Sequence, residues 1–114
     1  KQAFHSSEMP LLCARRHDQA VAAVSHLPHV AALALCETGS GSERYAGGSF
    51  AAVTRVAAIN APLWAGLLSD NAEYLLESLT RFRESLDTIE AALREGDKAA
   101  LEALLGRLSK EECT

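Results

Sequence analysis

At 114 residues the chain has the length of a single domain able to bury a real core. It is 48% hydrophobic but only 5% aromatic, and Ala and Leu dominate, which favours packed helices over sheets. The formal charge of −4, with no basic cluster, excludes nucleic acid and anionic membrane surfaces as expected partners.

Cys13, Cys36 and Cys113 are odd in number, far apart and without a CxxC pair. Neither a zinc site nor a disulfide framework is expected, and reduced thiols fit a cytoplasmic protein. The chain opens on Lys1 with neither an initiator Met nor a signal peptide, so a piece of a larger protein is expected. Residues 1–16 carry weak signals. Met9–Cys13 reads as a short extended segment because Pro10 opposes helix there.

The stretch His17–Leu35 is apolar nearly all round and reads as a helix buried on most sides. Ser25, His26, Pro28 and His29 interrupt it, so no membrane span is expected. Polar groups in such a helix need partners, and Pro28 frees the carbonyl of Val24 four residues back. The stretch therefore reads as one wall of a polar pocket.

A Gly- and Ser-rich loop follows over Glu37–Gly48. Ser49 is expected to cap a helix that starts at Phe50 and ends near Asn60, and Pro62 sits in the first turn of the next. Asp70 with Glu73 resembles a capping box at the head of a long helix. Along it Leu75, Leu79, Phe82, Leu86, Ile89 and Leu93 step by four and three. That seam repeats about every 3.5 residues, the pattern of helices packed side by side in a bundle or dimer. Gly96 suits the helix end, and Asp97 caps a last helix striped by Leu101, Leu104, Leu105 and Leu108.

Three places could carry chemistry. Ser25 and His29 share a helix face and His26 lies close to it; these side chains either line a pocket or satisfy freed carbonyls. Gly47-Gly48-Ser49 before a helix could receive an anion, with Arg55 as a planar fork for a carboxylate. The alternative is an ordinary capped turn and a surface Arg paired with a Glu. Trp64 reads as core or as a pocket edge. A metal-dependent hydrolase using His17, Asp18, His26 and His29 is a further reading, but no HExxH pattern supports it and no metal is expected.

Taken together, SHLPH (25–29), AGGSF (46–50), TRVAAINAPLW (54–64) and a long helix from near Asn71 resemble the C-terminal domain of the prephenate dehydrogenase family, arogenate-using relatives included. The resemblance runs from His17 nearly to the end, leaving 1–16 as an interdomain tail and 17–114 as the domain. It implies an all-α dimerisation domain of the 6-phosphogluconate dehydrogenase C-terminal type with a long central helix. The implied activity is oxidative decarboxylation of prephenate to 4-hydroxyphenylpyruvate in tyrosine biosynthesis, by a cytoplasmic homodimer.

NAD or NADP and the principal catalytic His would belong to an N-terminal Rossmann domain that this sequence lacks, so no catalytic or cofactor-binding residue is expected here. The resemblance implies a substrate pocket lined by His29, Arg55, Gly47, Gly48, Ser49 and Trp64, and a structural role for His26. Family members often carry an acidic residue three before the Arg, used in gating across the dimer. Ala52 stands there, so that gate does not carry over. A stand-alone helical interaction module without a small-molecule site is the rival reading.

Overall fold

The computed structural model describes residues 9–109, and side chains from 13 to 109. Every regular element among them is helical, as the composition predicts. In chain order these are α1 (Met9–Val21), a π-helical turn (Ala22–His26), α2 (Leu27–Thr38), α3 (Gly48–Thr54), α4 (Ala61–Asp70), α5 (Ala72–Glu95) and α6 (Lys98–Leu108). Short 3₁₀ turns occupy Glu43–Tyr45 and Arg55–Ala57. The chain forms two compact units that divide between Ser78 and Leu79, inside α5.

In the first unit, α1 begins earlier than the sequence reading expects. Pro10 is its second residue, where the missing N–H would have had no helical partner. The helix therefore runs unbroken through 16 and 17. The expected tail before Met9, and Cys113, lie outside the described residues.

From Cys13 to Thr38 the chain is one long helical rod, long and apolar enough to cross a membrane by length and composition. The expectation of no membrane span rested on a broken apolar run, and by length and composition the run is not broken. Ser25, His26 and His29 enter the run without adding a formal acidic or basic charge, so its average stays apolar. The burial expectation also changes: Ala22, His26 and Ala32 are buried, whereas Val24 is 74% exposed.

The π turn ends at His26, two residues before Pro28. The N–H of Leu27 bonds the carbonyl of Ala22, five residues back. One extra residue per turn widens the helix and gives the pyrrolidine ring room against the preceding carbonyls. Behind α2, Gly39 ends the helix, with its N–H on the Leu35 carbonyl at 2.9 Å. A Cβ at Gly39 would stand 2.8 Å from the Phe50 ring, so this glycine lets α3 close against the end of α2.

The helix expected from Phe50 begins at Gly48, with Gly47 before it, and Ser49 makes no capping bond. It tightens to 3₁₀ at Arg55–Ala57, and the chain is extended at Asn60. Asn60 Oδ1 accepts from the N–H of Leu63 at 3.0 Å, and Pro62 fills the first turn of α4 as expected. Asp70 closes α4 instead of capping α5. The joint is the single residue Asn71.

In the second unit, Gly96 takes φ 72° and stops α5, a conformation open to glycine. Asp97 Oδ1 then accepts from Ala100 N–H at 3.1 Å, capping α6 as expected. Leu104 is buried, but Leu86 is 49% and Leu93 60% exposed. The seam read from the sequence is present as a stripe, half-buried at Ile89 and exposed at Leu86 and Leu93.

Candidate functional site

The best-formed polar cluster lies in the first unit, where the π turn, α2, α4 and Asn71 meet. His29 Nδ1 lies 2.9 Å from the carbonyl oxygen of Ser25. A carbonyl only accepts, so Nδ1 carries the proton and the neutral ring presents Nε2 as an acceptor. The carbonyl that this histidine meets is that of Ser25, not that of Val24, which Pro28 frees. The opposite side of the ring problem is solved by Trp64: the two rings stack with centroids 4.0 Å apart and planes 28° apart. A bond at one nitrogen and an indole against the face leave the imidazole little freedom.

His26 is buried at 8% exposure and stands edge-on to the same indole, centroids 6.1 Å apart at 82°. Its Nδ1 lies 3.5 Å from Asn71 Nδ2, and that amide nitrogen also donates to the Asp18 carbonyl at 2.9 Å. An amide NH₂ has two hydrogens, one for each acceptor. The second contact is at the long end of the hydrogen-bond range, and the tautomer that makes it accepts at Nδ1 and carries its proton on Nε2, the reverse of His29. The sequence reading did not single out Asn71. Its signal was a lone amide between two helical runs, beside an Asp that drew the capping assignment.

The 3₁₀ turn that starts at Arg55 packs against α2, the helix that carries His29. Arg55 is exposed, and no acidic side chain pairs with it among the described residues. The surface ion pair offered as its alternative role is therefore absent there. Gly47, Gly48 and Ser49 are exposed at the start of α3. A Cβ added at Gly47 or Gly48 would meet nothing within 4 Å, and neither has a positive φ. The fold does not itself require glycine at these two positions. With seven residues, α3 is too short for its N-terminus to stand as an anion site by itself.

The cavities that stand out among the described residues are not lined by His29 or Arg55. One of about 140 Å³ is lined by Gly39, Ser42, Glu43, Tyr45, Ala46 and Phe50. The His17 and Asp18 side chains pair at 3.6 Å, in the open. Among the described residues no three His, Cys, Asp or Glu side chains gather as metal ligands would.

The family model described as the prephenate dehydrogenase dimerization domain matches residues 13–107. The chain belongs to that family. It is 39% identical over 95 residues to the cyclohexadienyl dehydrogenase of Zymomonas mobilis, covering 76% of this chain and 32% of that protein. It is 30% identical over 99 residues to the prephenate dehydrogenase of Lactococcus lactis, covering 81% of this chain and 28% of that one. Among solved structures, the arogenate dehydrogenase of Synechocystis matches with a TM-score of 0.75 and 26% identity, over 93% of this chain and 47% of that one. The chain thus spans about a third of the curated relatives it matches. All three stretches that carry the resemblance, 25–29, 46–50 and 54–64, fall inside the matched region.

Proposed function

We propose that this chain is the dimerisation and substrate-pocket part of a cytoplasmic, NAD(P)-dependent dehydrogenase that oxidatively decarboxylates prephenate or arogenate on the route to tyrosine. The observation that carries the reading is the pinned ring of His29, in a chain of this family. Fixed at Nδ1 by Ser25 and stacked on Trp64, its Nε2 is preset to accept from a substrate hydroxyl. Arg55, with no acidic partner among the described residues, offers a two-pronged donor to a carboxylate. Gly47 and Gly48 let a ligand approach the backbone closely.

A ring acid bearing a hydroxyl at one end and carboxylates elsewhere matches an imidazole acceptor combined with a guanidinium. The cofactor would supply the hydride acceptor. The described residues include neither a strand nor a glycine-rich strand–turn–helix to cradle its phosphates, so none is assigned to it. The work of this chain is to grip and orient the ring acid.

The family is described as a dimerization domain. Exposed Leu86, Leu93, Leu105 and Leu108 give the second unit an apolar surface suited to a second copy. An interaction module without a small-molecule site would leave the pinned His29 without a use, and is not favoured.

The deciding experiment is an assay of the full-length gene product with prephenate or arogenate and NAD or NADP. Cofactor reduction with at least one combination is expected. A folded, dimeric product that reduces neither cofactor with either acid overturns the proposal.

A further inference from the structure

Beyond the residues expected to meet substrate, one side chain ties the site together from behind. Asn71 is the joint between α4 and α5, yet its amide reaches back to the Asp18 carbonyl on α1 and to buried His26 on the π turn. His26 borders Trp64, and Trp64 stacks on His29. These contacts form one unbroken series from Asn71 to the ring that presents Nε2. All of it lies within the first compact unit.

We propose that Asn71 is a positioning residue for His29: by donating to His26 Nδ1 it sets the His26 tautomer and seats that ring against Trp64, whose indole then holds the His29 imidazole in place. The physical demand is specific. Asn71 Nδ2 must donate twice, to a carbonyl and to an unprotonated ring nitrogen. A side chain of the same shape that only accepts loses the bond to the carbonyl and reverses the direction of the one to His26. Asp is that side chain: its carboxylate faces the Asp18 carbonyl with like polarity and draws the His26 proton to Nδ1. The inference rests on the proposed function only for the identity of the ligand; the ring arrangement can be read without it.

The test has two arms. In the unsubstituted full chain, ¹⁵N spectra of the histidine side chains should show His26 protonated on Nε2 and His29 on Nδ1, because protonated and bare imidazole nitrogens resonate far apart. His26 protonated on Nδ1 alone overturns the proposal with no variant needed. In Asn71→Asp, His26 should move its proton to Nδ1 and the ring protons of His29 should lose the upfield shift that the stacked indole imposes.

In the full-length enzyme the same variant should raise KM up to about tenfold, as expected for misplacing one hydrogen-bonding group, with kcat nearly unchanged. A purely structural Asn71 would lower thermal stability and leave both KM and the His29 shifts where they were, which overturns the proposal. A full-length protein inactive towards both acids would sink the functional reading alone, and the spectra would still decide the role of Asn71.

Discussion

His29 and Trp64 lie ring on ring, with centroids 4.0 Å apart and planes 28° apart. Trp64 is the sole tryptophan of this chain, and in the full-length protein the part of the emission that Trp64→Leu removes reports on this contact. Binding of prephenate or arogenate by the full-length protein should change that emission, and His29→Leu should abolish the change. Trp64→Leu removes a stack worth about 0.5–1.5 kcal/mol and should raise KM about 2- to 10-fold. Emission that stays constant through saturation, with measurable turnover, would place the substrate elsewhere.

Arg55 projects from a 3₁₀ turn that leans on α2, without an acidic partner among the described residues. In the full-length enzyme Arg55→Ala should weaken substrate binding by about 2–3 kcal/mol, very roughly 30- to 150-fold, because a charge-assisted fork is lost. Arg55→Lys should recover only part of it, since an ammonium keeps the charge but not the two parallel bonds. Steady-state KM for the acid, with kcat measured alongside, checks this.

Gly48 makes a contrasting prediction. The space where its Cβ would stand is open within the chain, and its backbone conformation does not need glycine. Gly48→Ala should therefore alter stability by no more than about 0.5 kcal/mol and yet raise KM. Denaturant titration and kinetics on the same preparation separate the two effects. A variant with unchanged KM would remove Gly48 from the pocket.

Two caps give stability predictions that are independent of function. Asn60 Oδ1 accepts from Leu63 N–H at 3.0 Å, and Asp97 Oδ1 from Ala100 N–H at 3.1 Å. Asn60→Ala and Asp97→Ala should each cost about 1 kcal/mol. The two sites lie on opposite sides of the boundary at Ser78–Leu79, so they have no shared partners and their effects should add.

The Asp97 cap was legible in the sequence because it is local, a short polar side chain followed by helix formers, whereas Asn60 reads there as the end of the helix before it. The Gly96 stop and the α5 stripe were legible for the same reason. What escaped was set by tertiary contacts or by small shifts of register. Pro10 breaks a helix interior but suits a first turn, and only the position of the helix start distinguishes the two. Asp70 had the spacing of a cap, yet the helix before it absorbed it, and Asn71 turned its amide to residues 53 and 45 positions away. The family resemblance implied a set of pocket residues but was silent on the tautomers of His26 and His29. Those follow from which neighbours accept and which donate.

The exposed leucines of the second unit predict how the molecule associates. Leu86 lies mid-stripe on α5 and half in the open. Leu86→Asp should shift the protein from dimer to monomer in sedimentation at micromolar concentration, because burying a carboxylate in an apolar contact is costly. A variant that stays dimeric would move the interface off this stripe.

The π turn at Ala22–His26 has a further consequence. It is, in effect, a helix carrying one amino acid too many for its pitch. Deleting Ala23 would let the rod relax to ordinary α pitch, and because the wide turn already absorbs the extra residue, the residues after it would keep nearly their present direction. The Pro28 ring would then press on the carbonyl four residues back, as in any uninterrupted helix. The shortened protein is expected to keep its helical content and to melt at a lower temperature, which circular dichroism would show.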